Sequence, residues 1–202
     1  GSGEASPGND DETLQPLLTA NPAIDVIVPA ANREFAANRL STGLNRLTPC
    51  RTGEMISTHG FLLHGLPAAH EQRELDEHGN DRFMGYLVQF GHFRIYHSGD
   101  TMLLDGLAEM VRRRGCDVAL LPINGRAPER RVAGNLWGRE AAQLANDSGA
   151  ATVIPCHYDM FEFNTAMPDE FIETCEQIDQ SYRVLQCGER FTFTLADQAQ
   201  RR

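Results

Sequence analysis

The chain has 202 residues, 18 basic against 28 acidic, and a formal net charge of −10 at pH 7. All 18 basic residues are arginine, which excludes a lysine Schiff base, the phosphate-gripping lysine of a Walker loop and the kinase strand lysine. The acidic balance argues against a nucleic-acid module, which needs a clustered basic footprint, and the 41% hydrophobic fraction fits one globular domain.

Residues 1–10 read as a tag or disordered lead-in, and 11–202 as the folded domain. A short helix is expected over 13–20, capped by Asp10 or Asp11. The β-branched run 24–28 predicts a strand ended by Pro29, followed by a helix over about 30–40. Residues 44–67 read as short strands broken at Gly53 and at His59-Gly60. The polar stretch 68–81 predicts a loop long enough to suspect function. Strands 82–90 and 93–97 flank Gly91-His92, and glycine first in a two-residue loop signals a type II′ hairpin.

From there the pattern alternates. A helix over 102–114 carries Leu103, Leu104, Leu107, Met110 and Val111 on one stripe. The Arg112-Arg113-Arg114 run at its end offsets the helix dipole more readily than it makes a polyanion patch. Strand 117–121, helix 137–147, strand 151–154 and helix 169–179 follow, and two closing strands, 182–186 and 190–195, meet at Gly188. Strands alternating with helices under mixed pairing predict a layered α/β fold.

Five scattered cysteines with no C-x-x-C spacing point to a reducing cytoplasm rather than a disulfide framework. The apolar runs are too short for a membrane span, and the polar start is unlike a signal peptide.

Polar residues collect where strands end, the usual place for sites in open α/β folds. They are Ser98-Gly99-Asp100-Thr101, Asn124-Gly125-Arg126 and His157-Tyr158-Asp159, with His70 opening the long loop. Imidazole and carboxylate together suit zinc or manganese. Each residue also has a plainer reading. Asp100 could cap helix 101–114, His157 could be a hydrogen-bonded core histidine, His70 a loop histidine, and Asn124-Gly125 a turn. His97, beside the Ser98-Gly99-Asp100 turn, is placed to support a ligand rather than to be one.

The strings Pro67-Ala68-Ala69-His70-Glu71, Gly85-Tyr86, Ile95-Tyr96-His97-Ser98-Gly99-Asp100-Thr101, Leu121-Pro122-Ile123-Asn124-Gly125-Arg126 and Ile154-Pro155-Cys156-His157-Tyr158-Asp159-Met160-Phe161 together resemble the metallo-β-lactamase superfamily. Their order is most similar to the branch containing L-ascorbate-6-phosphate lactonase, over about residues 11–195. The resemblance implies an αββα sandwich with a one- or two-metal site at a sheet edge. His70 would ligate one metal, Asp100 would bridge both, and His157 would ligate the second. The metal would lower the pKa of a bound water, giving a hydroxide that attacks a lactone, ester or phosphoester. Asn124, Arg126, Tyr158 and Asp159 would surround a small, phosphorylated or carboxylated substrate, for which an arginine fork is suited.

One departure stands against this. The family's H-x-H-x-D-H signature does not occur in the 202 residues, and Gly3-Glu4-Ala5-Ser6-Pro7-Gly8 stands where the spacing from Asp11-Glu12-Thr13-Leu14 would put it. The expectation is either a piece of a longer enzyme or a chain that has lost its first metal motif. Each metal would keep two ligands where a catalytic zinc normally has three, so weak metal binding and little hydrolysis are expected. The alternatives are a non-catalytic relative binding a ligand or partner, and a phosphodiesterase of the same fold. The net charge of −10 counts against polyanionic substrates. No basic amphipathic helix suggests a membrane surface, and exposed sheet would favour self-association.

Overall fold

Short runs of β-branched, leucine and aromatic residues form eight strands in the computed structural model, which describes residues 10–126, 134–158 and 166–198. Helix α1 (Asp10–Ala20) leads into β1 (Val26–Pro29), then α2 (Arg33–Arg39) and β2 (Leu47–Cys50), which pairs with β1 in parallel. Leu14, Leu18, Val26, Val28 and Ala36 close around buried Ala37, Leu40 and Leu47. The 7-residue α2 therefore has a sheet to bury its apolar face against, which isolated short helices lack.

The larger sheet has the order β3 (Met55–Thr58), β4 (Phe61–Pro67), β5 (Met84–Phe90), β6 (Phe93–His97), β7 (Val118–Pro122) and β8 (Thr152–Cys156). Pairing is antiparallel from β3 to β6 and parallel from β6 to β8. Strands β4, β6, β7 and β8 thus share one direction and finish at one edge. The β5–β6 hairpin turns on Gly91 at φ 55°, as its Gly-first sequence predicts.

Helices α3 (Leu107–Arg112), α4 (Gly138–Asp147) and α5 (Asp169–Gln177) cover one face of this sheet. Leu66, Leu87, Tyr96, Ala119 and Val153 meet Leu107, Val111, Ala141, Leu144, Phe171 and Cys175 there. The result is the mixed, layered α/β architecture expected from the sequence, with two strands of the smaller sheet among the described residues.

Three expectations are corrected. Asp10 and Asp11 lie inside α1 instead of capping it. The helix expected over 102–114 starts only at Leu107, because Gly106 at φ 80° takes a left-handed conformation that a helix interior does not admit. Asp100 is therefore not a helix cap. The two closing strands do not form: Tyr182 makes one parallel bridge to Val153, residues 191–194 are irregular, and Leu195–Gln198 forms a short helix, α6. Glu189 satisfies the Gln186 amide, and Asp197 the Thr194 amide, at the positions where a ladder would need them.

Candidate functional site

The shared direction of β4, β6 and β8 brings the segments after them to one edge. Between the first two, the join is made by backbone. Ala69 N–H donates to Thr101 Oγ1 (3.0 Å), the Thr101 hydroxyl donates to the Met102 carbonyl (2.9 Å), and Met102 N–H donates to the Ala69 carbonyl (2.8 Å). Thr101 is fully buried, so these bonds are shielded from water. They set His70 beside Asp100, with Nε2 3.3 Å from Oδ2. From the end of β8, His157 reaches the same oxygen at 3.7 Å. His157 sits at φ 58°, a left-handed conformation that costs a non-glycine residue about 1 kcal/mol or more. The three side chains remain 27–39% exposed.

Charge follows geometry. Burial works to raise the Asp100 carboxyl's pKa, but the His70 hydrogen bond, the two imidazoles and the Asn135 amide outweigh it, and the group is held below the usual carboxylate range. The His70 pKa is raised, chiefly by its hydrogen bond to Asp100. Phe83 packs its ring edge-on against His70 at 5.6 Å, fixing the imidazole from the other side. His97 Nδ1 accepts from Gly99 N–H (2.9 Å) and braces the Ser98-Gly99 turn, and desolvation lowers its pKa against the pull of Asp100.

The residues expected around a substrate are placed differently from one another. Asn124 is fully buried, and its Oδ1 accepts from Asn135 Nδ2 (2.9 Å). The Arg126 fork is taken by Glu140, at 2.6 and 2.8 Å, and by the Asn135 carbonyl at 3.0 Å. The Tyr158 hydroxyl donates to the Leu185 carbonyl at 2.6 Å. Asp159 lies outside the described residues.

Two residues at the site carried no role in the sequence reading. Thr101 stood within a quoted motif, where a hydroxyl after Asp was the available signal. Asn135 had none, since its partners come from other segments.

The donor set, two imidazoles and a carboxylate, has the chemistry of a divalent-metal site. Ligand atoms around a tetrahedral zinc lie about 3.4 Å apart for bonds near 2.1 Å, similar to the spacings to Asp100 here. The set is nonetheless incomplete: among the described residues, no group of three or more His, Cys, Asp or Glu side chains is arranged to hold a metal ion. The Nδ1 atoms of His70 and His157 are buried without a partner among those residues, whereas metal-bound histidines usually donate from that atom. Donor type fits; donor number and support fall short.

A family model described as a beta-lactamase superfamily domain matches residues 12–158. Among curated proteins, a UPF0173 metal-dependent hydrolase of Rubrobacter xylanophilus is 31% identical over 146 residues, covering 70% of this chain and 57% of the relative. One from Methanoregula boonei is 32% identical over 141 residues, covering 68% and 60%. The chain therefore spans less than two thirds of these relatives' length. Among solved structures, a metallo hydrolase from Ignicoccus hospitalis superposes with a TM-score of 0.69 at 20% identity, over 90% of this chain and 73% of that one. The YhfI protein of Bacillus subtilis, with a metallo-beta-lactamase fold, gives 0.63 at 12% identity, over 89% and 70%. At these identities the superpositions speak for the fold.

Proposed function

We propose that this chain, which belongs to the metallo-β-lactamase superfamily, is a metal-dependent hydrolase acting on a small lactone, ester or phosphoester. The observation that carries the reading is the meeting of His70 and His157 on one oxygen of Asp100, at the edge where four strands finish. The names of the curated relatives, metal-dependent hydrolases, point the same way. The strings from Pro67 to Glu71 and from Ile154 to Phe161 favour the lactonase-like branch within the superfamily.

His70, Asp100 and His157 are the proposed metal residues, with zinc or manganese as the ion and His97 as support. Asn124, Arg126, Tyr158 and Asp159 are the proposed surroundings of the substrate, with Arg126 free to meet an anion only if it leaves Glu140. We place the protein in a reducing cytoplasm, a reading supported by five free cysteines. Among the described residues, no helix is long and apolar enough to cross a membrane. Nucleic acid is not a proposed partner; a second copy of the chain is.

The 202 residues carry no H-x-H-x-D-H, so the proposal includes weak metal binding and slow turnover for this chain. Equilibrium dialysis against zinc and manganese, followed by elemental analysis and assays with a lactone and a phosphodiester, tests both parts. Weak uptake that disappears in Asp100→Ala is expected, with slow hydrolysis that disappears alongside it. Equal uptake by the two proteins would remove the metal site. One tightly held equivalent with rapid turnover would remove the weak-binding part. A second reading, a ligand-binding relative without catalysis, is favoured by the incomplete donor set and predicts ligand binding with no turnover at any metal concentration.

A further inference from the structure

The chain leaves β8 at His157, and the alternation of side chains shows how. In an extended continuation Val153, Pro155 and His157 would share one face of the sheet, and Ile154, Cys156 and Tyr158 the other. Val153 belongs to the core beneath the helices; Ile154, equally buried from solvent, does not. Tyr158 nevertheless packs against the core of Val153. Between them His157 is the residue that departs from extended backbone, at φ 58°. One left-handed residue thus carries Tyr158 across to the helix side, and the imidazole of that same residue stands 3.7 Å from Asp100.

A left-handed residue other than glycine persists where its surroundings over-determine it. Both neighbours of His157 are fixed. On the strand side, the Cys156 carbonyl accepts from Ile123 N–H at 3.1 Å, and Cys156 stays in register with Pro122 of β7. On the other side, the Tyr158 ring lies on the core and its hydroxyl donates to the Leu185 carbonyl at 2.6 Å. Leu185 ends a segment that is itself tied to β8. Val153 N–H donates to the Ser181 carbonyl and Arg183 N–H to the Val153 carbonyl, each at 3.0 Å, with Tyr182 in parallel register with Val153. The Tyr158 bond therefore closes a brace between two stretches of chain held to the same strand. Residues 181–185 of that brace lie beyond the 12–158 that the family model matches.

We propose that Tyr158 is the positioning residue of His157: its ring and hydroxyl hold the left-handed turn that keeps the imidazole at Asp100, and the 181–185 segment is the brace they work against. The proposal rests on His157 belonging to the site, and it assigns Tyr158 a place behind that histidine rather than against a substrate. A phenol has one proton to donate, and Leu185 receives it. Tyr158 acts through the backbone of His157.

The test reads His157 itself, by NMR in ¹³C,¹⁵N-labelled protein with metal withheld. Its backbone couplings and its Cα and Cβ shifts together distinguish left-handed from extended backbone. They should report the left-handed form in the parent chain, move part of the way toward extended values in Tyr158→Phe, and move further in Tyr158→Leu, which gives up the ring as well as the hydroxyl. Zinc affinity, measured by competition, should fall about tenfold in Tyr158→Phe and more in Tyr158→Leu. Phe193→Leu, a loss of packing away from the site, should leave both readouts unchanged. Unmoved His157 signals in both Tyr158 variants overturn the proposal whether or not metal binds. An equal fall in zinc affinity in Phe193→Leu also overturns it, because general loosening then accounts for the effect. His157 signals that respond in a protein taking up no zinc sustain the positioning role and overturn the metal reading of the site instead. Unchanged zinc affinity in both Tyr158 variants of a chain that binds zinc overturns the proposal while leaving that reading in place.

Discussion

The two ends of the six-stranded sheet are built on different physics. Where β4, β6, β7 and β8 finish, the contacts are directional: Thr101, Ser98, Asn124 and Asn135 are each at most 1% exposed and each makes a side-chain hydrogen bond to a named partner. At the other end, rings meet in a row. Phe61 and Phe90 lie 5.8 Å apart, Phe90 and Phe93 6.1 Å, Phe93 and Phe193 6.1 Å, and Arg183 lies 5.9 Å from the Phe191 ring. Aromatic contacts accept small displacements at little cost, whereas a buried donor has one acceptor and no water to replace it. The end that carries the candidate chemistry is the one that tolerates less movement.

The sharpest way to break this contrast is Thr101→Val. The variant keeps the shape and removes a hydroxyl that both accepts from Ala69 and donates to Met102. A buried N–H and a part-buried carbonyl lose that partner together, so urea unfolding should show a loss of about 2 kcal/mol. The His70 and Asp100 segments lose one of the two bonds that join them, the Met102 N–H to Ala69 carbonyl bond remaining, and zinc uptake should weaken with stability. A loss below about 0.5 kcal/mol would mean the polar end is no more directional than the aromatic one.

A smaller effect is expected one step away, in the loop that follows His70. Asp81, 2% exposed, accepts from Arg73 at 2.6 and 3.0 Å and from the Thr52 hydroxyl at 2.5 Å, clamping the loop to the turn after β2. Burial raises the Asp81 pKa, the Arg73 and Thr52 bonds lower it, and the net direction is down. A carboxyl lowered on folding stabilises the protein above its unfolded pKa. That contribution is lost as pH falls from the ordinary carboxylate range through the folded value. Asp81→Asn should cost about 1–2 kcal/mol near neutral pH, since Arg73 is half exposed and its charge is partly screened. It should also flatten the decline of stability below about pH 4. An unchanged acid slope would remove Asp81 from the account.

Legibility follows the same division. Leu66, Leu87, Phe171 and the hairpin at Gly91 could be placed from period and turn chemistry, since the apolar pattern and the demand for a positive φ are written in the local sequence. The strand-end rule also drew attention to His70, Asp100 and His157, which the shared strand direction then brings together. What stayed hidden was whatever depends on a partner far along the chain. The apolar stripe from Leu103 to Val111 predicted a long helix, but the chain is first drawn to Ala69, 33 positions before Met102, and becomes helical only past the left-handed Gly106. Arg126 looked available for an anion because Glu140 and Asn135 are brought to it only by the fold. Asn135 could not be seen at all, because nothing near it in sequence distinguishes it from a loop asparagine.

The least effect is expected at the aromatic end, and it completes the contrast. Phe193 is partly buried and packs edge-on against Phe93 at an interplanar angle of 80°, with Phe191 6.4 Å away. Phe193→Leu keeps an apolar side chain and gives up the edge-to-face geometry, which is worth about 0.5–1.5 kcal/mol beyond area alone. Unfolding should register about 1 kcal/mol or less, because the neighbouring side chains can close around leucine. Pairing it with Phe93→Leu should give a loss smaller than the sum of the two, since the contact can be lost only once. Zinc uptake should be unchanged in both, as the rings sit at the opposite end of β6 from Asp100. A Phe193 variant that weakened zinc binding as much as Thr101→Val would show the sheet transmitting displacement along its strands, and the two ends would then have to be treated as one unit.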